Sequence, residues 1–179
     1  MTSALVTDFY ELTMMQGFFL EHHNPRVVFD MFYRNNPFNG GYTIFTGLED
    51  LIEKLENFRF SSEDIQYLRS LNKFQPSFLE YLESYSFSGD LYAFDEGTPA
   101  FPQEPLIRIE TNMLDAQLIE SLILNTINFQ TLIATKASRV CYAAKGDGIM
   151  EFGLRRAQGP DAGTYGARAA VIGGCVGTS

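Results

Sequence analysis

The sequence predicts an α/β fold, and three observations carry that prediction. Two stretches, 8–21 and 112–144, repeat their apolar residues at helical intervals. Between them lie short β-branched and aromatic runs cut by Gly and Pro. From 146 onward a strand, a loop and a helix follow one another as the first unit of a βα series. The 179 residues are 45% hydrophobic and 20% charged, enough to bury a core. We divide them into an N-terminal α/β domain over 1–145 and the first strand and helix of an incomplete second domain over 146–179.

The elements follow in order. "TDFYELTMMQGFFLEH" opens with Asp8 three residues before Glu11, resembling a capping box with Asp in place of Ser or Thr. Phe9, Leu12, Met15 and Phe19 then mark the core side of a helix over 8–21. "RVVFDMFYR" (26–34) reads as a strand and "NNPFNGG" (35–41) as a loop. Three short amphipathic helices come next. "GLEDLIEKLENF" sets Leu48, Leu51, Ile52 and Leu55 on one side, "SSEDIQYLRSL" begins with a Ser cap, and "QPSFLEYLESY" has Pro in its first turn. Gly and Pro then leave two strands, near 89–94 and 105–110. The stretch 112–144 makes two helices or one bent one, apolar around much of its surface and so centrally buried. "KGDG" is a turn, "IMEFG" a strand, "GPDAGTYGARAAVI" a helix with an early Pro and Asp, and "GGCVGTS" a glycine-rich loop.

A net charge of −9 argues against broad nucleic-acid binding. An anionic small molecule stays possible, provided that cations are gathered locally. No segment approaches a bilayer-spanning length, and "MTSALVTDFY" lacks a signal peptide's basic and apolar regions, so we expect a cytoplasmic protein without membrane contact. Cys141 and Cys175 read as two reduced thiols. His22 and His23 are adjacent at a helix end and lack metal-pair spacing, and we read them as solvated. The chain has no Walker loop, metal cluster, Ser-His-acid order or nicotinamide-cofactor fingerprint.

"EFGLRRAQGP" (151–160) is where the chemistry points. Active sites of α/β folds gather at the carboxyl ends of strands, where Arg155 and Arg156 stand. Arginine's planar fork suits phosphate or carboxylate, Phe152 offers a flat apolar face, and Gly153 allows close approach to a ligand. The competing reading is a surface Arg pair with Glu151 as partner. Tyr10 lies off the apolar stripe of its helix and is either inert or a contact residue; Arg34 is either a loop cation or a surface charge. In a straight strand Phe152 and Arg155 would face opposite sides, so a shared pocket requires the chain to leave strand geometry at Gly153.

Seven stretches in register resemble nicotinate phosphoribosyltransferase: "TDFYELTM", "VVFDMFYRNNPF", "GGYTIFTGLEDLIEKL", "GDLYAFDEGTPAFPQEPLIRIE", "NFQTLIATKASR", "EFGLRRAQGPDAG" and the terminal "GTS". The resemblance implies an α+β N-terminal domain followed by the start of an irregular α/β barrel of the type II phosphoribosyltransferase kind. It implies coupling of nicotinate to 5-phosphoribosyl 1-diphosphate, giving nicotinate mononucleotide and diphosphate. ATP hydrolysis would accompany the reaction, Mg²⁺ would bridge diphosphate oxygens, and the enzyme would be a homodimer with its site shared across the interface. By the same resemblance Phe152 is the aromatic floor under the pyridine ring, and Tyr10 the second ring face, from the partner. Arg155 is a cation for the ribose-diphosphate substrate, Arg34 a diphosphate contact from the partner, and Arg156 the weaker member of the pair. Ser179 stands where nicotinamide-using relatives carry Asp; Asp would repel a carboxylate, so Ser fits nicotinate. The histidine that such enzymes phosphorylate from ATP belongs to a "GT-x-A-H-S"-like motif downstream of "GTS". The chain alone is therefore expected to be inactive. A non-catalytic fragment and a nicotinamide or quinolinate phosphoribosyltransferase are the alternatives.

Overall fold

A computed structural model describes residues 3–178, so Ser179 lies outside the described residues. Helix α1 (Phe9–Leu20) leads to strand β1 (Arg26–Met31), a 3₁₀ turn (Pro37–Asn39) and β2 (Thr43–Ile44). Three helices follow, α2 (Leu48–Glu56), α3 (Ser62–Ser70) and α4 (Pro76–Glu83), then β3 (Gly89–Ala93), β4 (Pro99–Ala100) and β5 (Ile107–Asn112). Helices α5 (Met113–Leu118) and α6 (Glu120–Ala143) precede β6 (Met150–Glu151), a 3₁₀ turn (Leu154–Arg156), α7 (Pro160–Ile172) and β7 (Gly177–Thr178). Helices and strands are mixed along the chain, an α/β fold as predicted.

Four local expectations change. Strand β1 stops at Met31, and beyond it the Tyr33 hydroxyl meets Ala100 O (2.7 Å) and Asn36 Oδ1 (3.0 Å). Arg34 therefore sits in a loop and not at a strand end. The capping box expected at Asp8 is absent: Asp8 Oδ2 accepts from Ser121 Oγ at 2.7 Å, and Glu11 is turned fully inward. The reciprocal cap lies at α3, between Ser61 and Asp64. "GGCVGTS" is not all loop, since β7 pairs in parallel with β6, Met150 opposite Gly177 and Glu151 opposite Thr178.

Two compact units make up the described chain, each from three segments. The first takes the chain up to Asp30, Asp50–Tyr92 and Arg108–Leu124; the second takes Met31–Glu49, Ala93–Ile107 and the chain from Asn125 onward. The units interleave in sequence, and their limits fall at 30/31, 49/50, 92/93, 107/108 and 124/125 rather than at 145.

The first unit is an aromatic-rich helical core with a three-stranded sheet of order β1-β5-β3. Met15, Leu51, Phe58 and Phe78 are completely buried. Phe78 lies between Phe74 (ring centroids 5.9 Å apart) and Phe19 (5.5 Å), and its burial contributes about 2–3 kcal/mol. Phe9 and Ile52, both expected in the core, are 52% and 41% exposed; Phe9 touches only the edge of Phe74. Strand β5 alternates as a half-buried strand does, Ile109 and Thr111 in and Arg108 out toward Asp30.

In the second unit β2 pairs antiparallel with β4, Thr43 opposite Ala100 and Ile44 opposite Pro99. This short ribbon borrows acceptors from α6. Ile44 N–H donates to Thr135 Oγ1 (2.9 Å) and Thr46 N–H to Thr131 Oγ1 (3.3 Å), which satisfies buried amides that no strand reaches. Helices α6 and α7 meet through Ala134, Ala137, Ala169 and Ala170. They come so close that a β-carbon on Gly173 would stand 2.4 Å from Ala134 O. Cys141 and Cys175 are free, and burial first, then Cys141 beside it, pushes the Cys175 thiol up to about 11. Among the described residues no helix is long and apolar enough to cross a membrane.

Candidate functional site

The parallel pair β6–β7 carries the 151–160 motif. Strand β6 ends at Glu151, and Gly153 adopts φ −87°, ψ −5°, in the helical region. The chain therefore leaves strand geometry at the residue where a shared pocket requires it. Glu151 caps this bend by accepting from the Gly153 N–H. Its carboxylate is used by the backbone, which removes it as the expected partner of the arginines. The 3₁₀ turn is closed by Arg156 N–H to Gly153 O (2.8 Å) and Ala157 N–H to Leu154 O (3.3 Å).

Winding with three residues per turn brings residues i and i+3 onto one side. The 3₁₀ turn spans Leu154–Arg156, so Arg155 and Arg156 point about a third of a turn apart, while Phe152 stands just before the capping Gly153. Phe152 is 58% exposed, and both arginines are exposed. Among the described residues no carboxylate lies within ion-pair distance of Arg34, Arg155 or Arg156. An exposed aromatic face and an uncommitted guanidinium on one short segment suit a planar ring bearing an anionic group.

Arg34 belongs to the same unit but to another part of it, the loop after β1, where Gln103 Nε2 donates to its carbonyl at 3.4 Å. Tyr10 lies in the first unit, on the first turn of α1, with 47% of its surface exposed. Partial burial first, and then the charges of Glu120, Glu11 and Asp8, hold its hydroxyl above the ordinary value and keep the ring neutral. Behind it Glu11 accepts from Thr7 Oγ1 and from Ser121 Oγ (3.0 Å); burial raises its carboxyl despite those bonds. This anchored turn fixes the backbone that displays Tyr10. Ser179, the remaining expected contact, lies outside the described residues.

Two further groups were not expected. Arg168 on α7 grips Glu96 with both nitrogens (3.0 and 2.6 Å) and also reaches Glu49. On α6, Arg139 Nη1 donates to Phe38 O at 2.7 Å, and Lys136 Nζ lies 5.2 Å from the centre of the Phe38 ring. Lys136 and Arg139 are three apart in "ATKASR", one helix face, and that spacing was the available signal. His22, at φ 52°, and His23 are exposed just past α1. Among the described residues no three His, Cys, Asp or Glu side chains cluster as a metal-binding set.

A family model described as the nicotinate phosphoribosyltransferase (NAPRTase) N-terminal domain matches residues 5–128. The chain is 43% identical over 176 residues to "Nicotinate phosphoribosyltransferase pncB2" of Mycobacterium tuberculosis, covering 98% of this chain and 38% of that protein. It is 44% identical over 177 residues to the nicotinate phosphoribosyltransferase of Bacillus subtilis, covering 98% and 36%. The fold superposes on the crystal structure of human nicotinic acid phosphoribosyltransferase with a TM-score of 0.90 and 34% identity, over 97% of this chain and 36% of that one. The chain thus spans 36–38% of the length of these two curated relatives.

Proposed function

Because the chain belongs to the nicotinate phosphoribosyltransferase family, we propose that its full-length product is a cytoplasmic homodimer that makes nicotinate mononucleotide and diphosphate from nicotinate and 5-phosphoribosyl 1-diphosphate. The observation that carries this reading is the bend at Gly153, which ends strand geometry between Phe152 and Arg155 and leaves both side chains exposed. In this reading the pyridine ring rests on Phe152, with Tyr10 of the partner subunit on its other face. The ring nitrogen attacks the anomeric carbon of the ribose as the bond to diphosphate breaks. Arg155, and Arg34 from the partner subunit, hold the departing negative charge in a fixed place. Their contribution is positioning and preorganised electrostatics, the terms that dominate when little covalent chemistry falls to the protein.

ATP and Mg²⁺ enter this reading from the family alone. Among the described residues no three His, Cys, Asp or Glu side chains gather as a metal-binding set, and in this reading the ion comes with the diphosphate oxygens. His22 and His23, exposed and without the motif context, are not assigned the phosphorylated role. Ser179 remains the residue proposed to admit a carboxylate where Asp would repel it.

The test is a substrate panel on the full-length product. With 5-phosphoribosyl 1-diphosphate and ATP, kcat/KM for nicotinate is expected to exceed that for nicotinamide by about a hundredfold or more, the discrimination that a mismatched buried polar group produces. Equal use of nicotinamide would overturn the assignment of Ser179. Release of CO₂ from quinolinate would move the protein to the decarboxylating class, and no turnover with any of the three would sink the enzymatic reading.

A further inference from the structure

We propose that Arg139 is a positioning residue for Arg34, a proposal that rests on the reading of Arg34 as a diphosphate contact. The loop between β1 and β2 holds two consecutive non-glycine residues in the left-handed region, Phe38 (φ 58°, ψ 27°) and Asn39 (φ 51°). For a bulky aromatic that conformation is a true outlier, and it persists only where the surroundings impose it. Burial does not impose it here, because Phe38 is 45% exposed. The restraint comes from α6 instead. Arg139 Nη1 donates to Phe38 O at 2.7 Å, and Lys136 stands over the ring.

Gly40 completes the clamp. A β-carbon at this position would lie 2.8 Å from Arg139 Nη1 and 3.2 Å from Pro37 O, so any larger residue would push the tip of the guanidinium from its place. Gly40 N–H donates to Pro37 O at 3.0 Å and closes the 3₁₀ turn. The other end of the segment is tied as well, with Gln103 N–H donating to Tyr33 O (3.0 Å) and Gln103 Nε2 to Arg34 O (3.4 Å). Residues 33–40 are therefore fixed by polar tethers at both ends, and the Arg34 side chain is left exposed and without a carboxylate. A strained backbone restrained in this way is preorganised to present that guanidinium in one place.

The experiment compares R34A, R139A, R139K, G40A and the double variant R34A/R139A in the full-length product. Readouts are the separate KM values for 5-phosphoribosyl 1-diphosphate and nicotinate, kcat, the Kd for inorganic diphosphate by calorimetry, and the thermal midpoint. R34A should raise the KM for 5-phosphoribosyl 1-diphosphate and the Kd for diphosphate by about tenfold, the loss of one charge-assisted hydrogen bond. R139A and G40A should raise the same two constants by roughly three- to fivefold with the KM for nicotinate unchanged, and the double variant should be no worse than R34A, as expected of residues that act as one unit. R139K, which keeps a donor near Phe38 O, should recover most of the R139A loss.

Losses that multiply in the double variant, or an R139A protein with unchanged constants, would overturn the positioning role while leaving Arg34 in place. An R34A protein with unchanged constants would remove the reading of Arg34, and this proposal with it. If R139A fails to fold, G40A decides, because it displaces only the tip of a flexible side chain.

Discussion

Arg155→Ala is expected to lower kcat of the full-length product by about a hundredfold or more, and Arg156→Ala by less than about tenfold. The two residues are adjacent, both exposed, and chemically identical, so composition cannot separate them. The turn separates them. Arg155 and Arg156 are successive residues of the 3₁₀ turn and point about a third of a turn apart, so one pocket meets one of them, and the family resemblance gives that place to Arg155. A guanidinium that meets charge developing on the leaving diphosphate acts in the transition state, and its removal is felt in kcat. One that only raises the local positive potential affects binding and is screened by salt. Steady-state kinetics at two ionic strengths distinguish the cases; equal losses in kcat for both variants would show that the pair is wrongly assigned.

Arg168→Ala is expected to destabilise the fold by about 2–4 kcal/mol, measured by urea denaturation. Glu96 is the centre of this network. Its Oε1 accepts from Gly47 N–H and Leu48 N–H (3.0 Å), the first free amides of α2, while Arg168 binds both of its oxygens. Burial pushes the Glu96 carboxyl up, but the bond from Arg168, the backbone bonds and the Arg168 charge outweigh it and hold the group below the ordinary value of 4.5. Because the folded value is depressed, this contribution is complete above 4.5 and is lost as pH falls through the lower folded value. Removing Arg168 leaves a half-buried carboxylate with two amide donors and no cation. Arg168→Ala should therefore also flatten the acid limb of the stability curve. A change below about 0.5 kcal/mol would class the network with ordinary surface ion pairs.

The helices and the longer strands are legible because each has its own local signal. The Ser61 cap, Pro76 in the first turn of α4 and the β-branched run at 26–31 all agree with the structure. What the sequence hid was tertiary. Nothing local shows that Glu11 is buried with Thr7 and Ser121, 110 residues from the latter, or that Thr131 and Thr135 of α6 serve as acceptors for β2 and the residues after it. Strand β7 was read as loop because two residues among glycines carry no periodicity, and only pairing with β6 makes them a strand. The site divides in the same way. Phe152 and Arg155 are readable as a candidate pair, whereas the break in strand geometry between them lies in the backbone at Gly153, which no local pattern sets. Tyr10 and Arg34 are proposed as contacts from family resemblance alone, since neither helical spacing nor loop chemistry distinguishes a ligand contact from a solvated residue.

The central claim is that Tyr10 of one subunit completes the ring site built on Phe152 and Arg155 of the other. Co-expression of Tyr10→Ala and Phe152→Ala subunits with different tags, followed by tandem purification, isolates the mixed dimer. Two-fold symmetry then places both defects in one of its sites and leaves the other intact, so the mixed dimer should show about half of the wild-type kcat while each mutant homodimer is nearly inactive. A mixed dimer no more active than the two homodimers would mean that Tyr10 and Phe152 serve the same site from one subunit, or serve no common site, and would contradict the account.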